Sequence, residues 1–130
     1  MQGTPIDPAD IVKLNVPNYT HGRLVEGAKD WLLLSGQVGV RPDGTWSGDF
    51  SDQANQAFDN IKACLRAADM TMDNVVFTRI YLTRREDLDG FRAARKAHLG
   101  EDRIPSTLLF ISGLAHPEWL IEVEIVACRG

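Results

Sequence analysis

Residues 104–127 read IPSTLLFISGLAHPEWLIEVEIVA. Two strand-like runs, Thr107–Ile111 and Trp119–Ala127, flank a turn-rich break at Ser112–Glu118. The second run sets Leu120, Glu122, Glu124 and Val126 on one face and Ile121, Val123 and Ile125 on the other. That period of two is the signature of a strand between unlike environments. Glu122 and Glu124 therefore share a face in an otherwise apolar segment. On a solvated face they are ordinary solubilising residues. On a covered face at least one must be paired or must bind something polar.

Working upstream, Arg84–Leu99 reads as a helix with Leu88, Phe91, Ala94 and Ala97 inward and Gly100 just past its end, where a left-handed cap is cheapest. Val75–Thr83, VVFTRIYLT, is a strand by its β-branched and aromatic content. Arg79 shares a face there with Phe77 and Tyr81. It is either a solvated arginine or an anion-binding group in an interface pocket. The clearest helix starts from Ser51 as N-cap. Its apolar stripe is Ala54, Ala57, Phe58, Ile61, Cys64, Leu65 and Ala68, with Gln53, Asp59, Lys62 and Arg66 off the stripe. Asn60 borders the stripe and suits capping or packing. Two strands precede this helix, Arg23–Ala28 and Trp31–Val38. Trp31–Leu34 is apolar on both faces, as expected of a central, buried strand. Gly36 within it marks a bulge or the close approach of another group. Residues 1–18 carry three of the six prolines and little periodicity, and read as a loosely attached arm.

The order β-β-α-β-α-β-β implies one α+β domain over residues 1–130, a single sheet with both helices on one face. The other face is too apolar to stay wet, so an oligomer should close it. The composition, 44% hydrophobic and 25% charged, is that of a soluble globular chain. A net charge of −4 argues against a broad nucleic-acid surface. No segment approaches the roughly 20 apolar residues of a membrane span. The first ten residues lack the basic and apolar regions of a secretory signal. Cys64 and Cys128 show no metal-ligand spacing and read as free thiols in a reducing cytoplasm.

Several segments taken together resemble the Rid (reactive intermediate deaminase) or YjgF family. They are Tyr19-Thr20-His21-Gly22, Ser35-Gly36-Gln37, Gly48-Asp49-Phe50, Gln53 through Asn60, Ile80–Thr83 and Ile121-Glu122-Val123-Glu124. The resemblance runs from about Tyr19 to Ala127. It rests on the order and spacing of these segments rather than on any single one. It implies a chorismate-mutase-like fold, a six-stranded and mostly antiparallel sheet with two helices on one face. It also implies a homotrimer whose sheets form a central barrel, with clefts at the subunit interfaces.

The resemblance implies hydrolysis of reactive imines or enamines to oxo acids and ammonia, without metal or organic cofactor. Glu122 is then the catalytic carboxylate that positions water. Tyr19, Gly36 and Thr107 line the cleft, which takes a small, carboxylate-bearing ligand. The family's substrate-binding arginine position is occupied by Pro105, and a frequent asparagine of the second helix is Arg92. Arg92, Arg103 or Arg79 would have to supply the cation. The other functional expectation is a non-catalytic trimer that keeps the cleft for metabolite binding or a chaperone-like role. The ribonuclease activity attached to the family finds no His pair or basic aromatic surface to support it.

Overall fold

In the computed structural model, which describes residues 2–130, the sheet is built around β7, Ile121–Arg129. Strands β3 (Asp30–Leu33) and β4 (Gln37–Val38) pair antiparallel along one side of β7, and β5 (Val75–Leu82) pairs antiparallel along the other. β6 (Ser106–Phe110) completes this five-stranded sheet, parallel to β5. β1 (Thr4–Ile6) and β2 (Gly22–Leu24) form a separate antiparallel pair. Helices α1 (Phe50–Ala67) and α2 (Leu88–Leu99) cover one face of the main sheet. The α+β architecture is the expected one, with its strands divided between two sheets.

The alternation of β7 carries the fold. Ile121, Val123, Ile125 and Ala127 are fully buried against the helices, while Glu122, Glu124 and Val126 on the other face are half-buried. On α1 the stripe delivers Phe58, Ile61 and Leu65 into the same core. Each such side chain stabilises the fold by about 1.5–3 kcal/mol. Among the described residues no helix is long and apolar enough to cross a membrane. Both cysteines are free thiols.

Several expectations are corrected. The run Trp31–Val38 is not one central strand. It breaks at residues 34–36, where its register against β7 slips by one residue. Its first half is an edge strand, with Trp31 51% and Leu33 73% exposed. The first strand ends at Leu24 rather than continuing to Ala28. Helix α1 is capped by Asp49, not Ser51, through a bond from the Asp52 amide to the Asp49 carboxylate. Gln53, placed off the apolar stripe, is fully buried. Helix α2 begins at Leu88 after one turn of 3-10 helix, and Ala97 is exposed rather than inward. The arm is not loose. The Asp7 carboxylate accepts from the Thr20 hydroxyl and the His21 amide and pairs with Arg103.

Candidate functional site on the open sheet face

The face of β7 turned away from the helices brings Glu122 and Glu124 beside β5. Tyr81 stands directly across from Glu122, and Arg79 from Glu124. Only the arginine's hydrogen bond follows that pairing. Tyr81 Oη donates diagonally to Glu124 Oε1 at 2.6 Å, and Arg79 Nη1 donates to the same oxygen at 3.0 Å. Diagonal neighbours on a sheet face lie within reach of long side chains. The Arg79 guanidinium also lies 5.2 Å over the Phe77 ring.

This choice separates the two glutamates chemically. The hydrogen bond from Tyr81, and then that from Arg79, hold the Glu124 carboxyl below the usual carboxylate range. The same contacts push the Tyr81 phenol and the Arg79 guanidinium up. Glu122 is half-buried and, among the described residues, has no hydrogen-bond or ion-pair partner. It is left able to accept a bond from water or a ligand.

Gly36 gives the Glu122 carboxylate its place. It lies in the break between β3 and β4. A Cβ built on it would stand 2.1 Å from Glu122 Oε2 and 2.6 Å from Cδ. The close approach read from the sequence is therefore that of the glutamate itself.

The remaining site residues fall in three places. Thr107 on β6 is exposed and lies across from Arg79, on the same face as Glu122. Tyr19 and Arg92 line a groove on the helix side of the sheet. Tyr19 Oη donates to His21 Nδ1 at 2.9 Å, because His21 Nε2 donates to the Val12 carbonyl at 2.7 Å. Arg103 is held by Asp7. Pro105 contributes a carbonyl, which accepts from the Thr78 amide at 3.1 Å. One chain thus brings Gly36 against Glu122, leaves Thr107 on the same face but two strands away, and keeps Tyr19, Arg92 and Arg103 off that face. Among the described residues no group of three or more His, Cys, Asp or Glu side chains is placed to hold a metal.

Two contributors were not visible in the sequence reading. In the sequence Tyr81 is only a face-mate of Arg79, and its bond to Glu124 follows from the strand register. Gln53 is a latch between loops. Its Nε2 donates to the Ser47 and Glu118 carbonyls at 2.9 and 3.0 Å, and its Oε1 accepts from the Leu120 amide at 2.9 Å. It thereby fixes the lead into β7 two residues before Glu122. Asn60 has a similar role, donating to the Val38 and Val40 carbonyls at 3.0 and 2.9 Å.

Comparison with known proteins places this arrangement in context. The family model described as Endoribonuclease L-PSP matches residues 9–129. The RutC family protein YjgH of Escherichia coli is 51% identical over 47 residues, a segment that spans 36% of each chain. The 2-iminobutanoate/2-iminopropanoate deaminase of Escherichia coli is 27% identical over 113 residues, covering 83% of this chain and 88% of that one. The crystal structure of YyfB, a Rid-family protein of unknown function from Yersinia pestis, superposes with a TM-score of 0.85 at 27% identity. It covers 99% of this chain and 100% of that one.

Proposed function

Because the chain belongs to the Endoribonuclease L-PSP family, that of the Rid and YjgF proteins, we propose that it is a hydrolytic deaminase of reactive imines or enamines working at Glu122. The observation that carries this reading is the half-buried Glu122 carboxylate, without a partner among the described residues, beside a Glu124 whose Oε1 accepts from both Tyr81 and Arg79. Water adds to the imine carbon while Glu122 accepts its proton. Glu122 passes that proton to the nitrogen of the resulting carbinolamine, the C–N bond breaks as ammonia leaves, and the hydroxyl proton goes to the carboxylate as the carbonyl forms. A positioned carboxylate suits these transfers. The deaminase relative supports the same chemistry.

The working site is an interface. Trp31, Leu33 and Leu109 are 51%, 73% and 46% exposed on the face that carries Glu122, and a homotrimer would cover them. Of the candidate cations, Arg79 is engaged by Glu124 and Arg103 by Asp7. Arg92, whose ion-pair partner among the described residues is Asp89 at 3.9 Å, lies on the opposite side of the sheet, so with Tyr19 it would reach a Glu122 across an interface. The two free thiols fit a reducing cytoplasm.

Pro105 favours a second reading, a trimer that binds a small carboxylate-bearing metabolite without turning it over. Ammonia release from freshly generated imines, compared between wild type and Glu122→Gln, tests the first. Release lost in the variant supports it. Absence of release from the wild type, with 2-oxo acids still bound, selects the second. A stable monomer at micromolar concentration in light scattering sinks the interface site.

A further inference from the structure

On the helix side of the sheet, against α2, lies a groove of about 590 Å³ whose outer wall is the N-terminal arm, residues 14–19. This volume falls in the range of small-molecule sites, roughly 300–1,000 Å³. Its floor is aromatic and aliphatic, built from Phe58, Phe91 and Leu108. The bonds from Tyr19 to His21 and from His21 to the Val12 carbonyl brace the arm that forms the wall. The charged lining runs against the chain as a whole. The chain carries −4, yet the groove is lined by Arg92, Arg95 and Lys96 against one carboxylate, Glu101. Arg95 is committed, donating to the Gly100 and Asp102 carbonyls at 2.9 and 2.6 Å. Arg92 and Lys96 are exposed and only loosely paired, at 3.9 Å from Asp89 and 3.8 Å from Glu101.

We infer that this groove binds an amphipathic carboxylate, with its hydrocarbon tail on the Phe58–Phe91 floor and its head between Arg92 and Lys96. An apolar cavity with a few convergent polar groups at its mouth orients such a ligand by both ends. Cations on long stems suit the head because they cover apolar surface while reaching for charge. The site is complete within one chain and needs neither Glu122 nor the open face; it shares Tyr19 and Arg92 with the interface reading, and Glu122→Gln distinguishes the two.

Amide resonances of the full chain followed during titration with octanoate, octanol and acetate test the inference. Octanoate should shift Tyr19, Phe91, Ser106 and Leu108, and acetate at equal concentration should not. Arg92→Gln with Lys96→Gln should weaken octanoate about tenfold and leave octanol unchanged. Glu122→Gln should leave octanoate binding intact even where it abolishes ammonia release. No octanoate-induced shifts in the groove, shifts centred on the open face around Glu122, or an octanoate affinity indifferent to the double substitution would each overturn it.

Discussion

Gly36 and the Glu122 carboxylate claim the same space. A side chain at residue 36 would begin 2.1 Å from Glu122 Oε2. The glycine's backbone is not in the left-handed region, and the three atoms nearest to such a Cβ all belong to the Glu122 side chain, the flexible partner in the conflict. Gly36→Ala should therefore swing the carboxylate away rather than unfold the sheet. We expect kcat/KM for imine hydrolysis to fall at least about tenfold, with stability changed by about 1 kcal/mol or less. A loss of melting temperature in proportion to the loss of activity would show that residue 36 matters only to the fold.

Tyr81→Phe removes the shorter of the two bonds to Glu124 Oε1. Glu124, held low chiefly by that bond, should titrate closer to the ordinary carboxylate value. The depressed Glu124 contributes stability above the ordinary carboxylate pKa and loses it as pH falls through the folded value. The variant should thus show a weaker acid dependence of stability. Carbon-detected titration of the Glu124 carboxyl and urea midpoints at pH 7 and pH 4 measure the two effects. An unchanged Glu124 titration would mean that Arg79 alone sets it.

Gln53→Leu keeps the volume of the buried latch and strands two carbonyls and one amide. Buried groups without partners are costly, and the loss should reach roughly 2–4 kcal/mol in urea unfolding. A change smaller than about 1 kcal/mol would show that water replaces the side chain at Ser47 and Glu118.

His98 joins the two helices. Its Nε2 donates to Asn55 Oδ1 at 2.9 Å, and its Nδ1 accepts from Lys62 Nζ at 2.7 Å. The ring stacks on Phe58, with centroids 4.9 Å apart. Burial, and then the Lys62 charge, push the imidazole below its ordinary pKa, against a smaller upward pull from Asp59. The unfolded chain therefore binds a proton that the folded chain resists. Stability should fall as pH drops through the ordinary imidazole pKa, about 6.5, and level off below the folded value. Urea midpoints from pH 8 to pH 5 should show this decline in wild type and less of it in His98→Gln. An identical decline in both would assign it to other groups.

The alternation of residues 120–126 and the stripe of α1 were legible because each side chain faces one environment along a regular period. Trp31 and Leu33 misled for a physical reason. An apolar run reports that water is disfavoured, not which surface supplies the cover, so an edge strand with a bare face reads as a central one. The carboxylate pair was legible as a pair. Which member is free depends on one diagonal bond across β5 and β7, and spacing along one strand carries no information about it. Gln53 failed for a similar reason, since its burial is secured by backbone groups 6, 65 and 67 residues away.

The place of β7 in the sheet bears on how the chain is made. Residues 121–129 leave the ribosome after β1–β6, yet β3, β4 and β5 all take their main-sheet pairing from them. Until then only β5 and β6 can pair within that sheet, so the helices wait on an incomplete floor with their apolar stripes uncovered. Completion of the main sheet thus waits on residues 121–129, and a nascent chain that still lacks them is a species prone to association. A chain stopped before Ile121 would lack the strand on which the layers are built, and such truncated products should be recovered as aggregate or degraded.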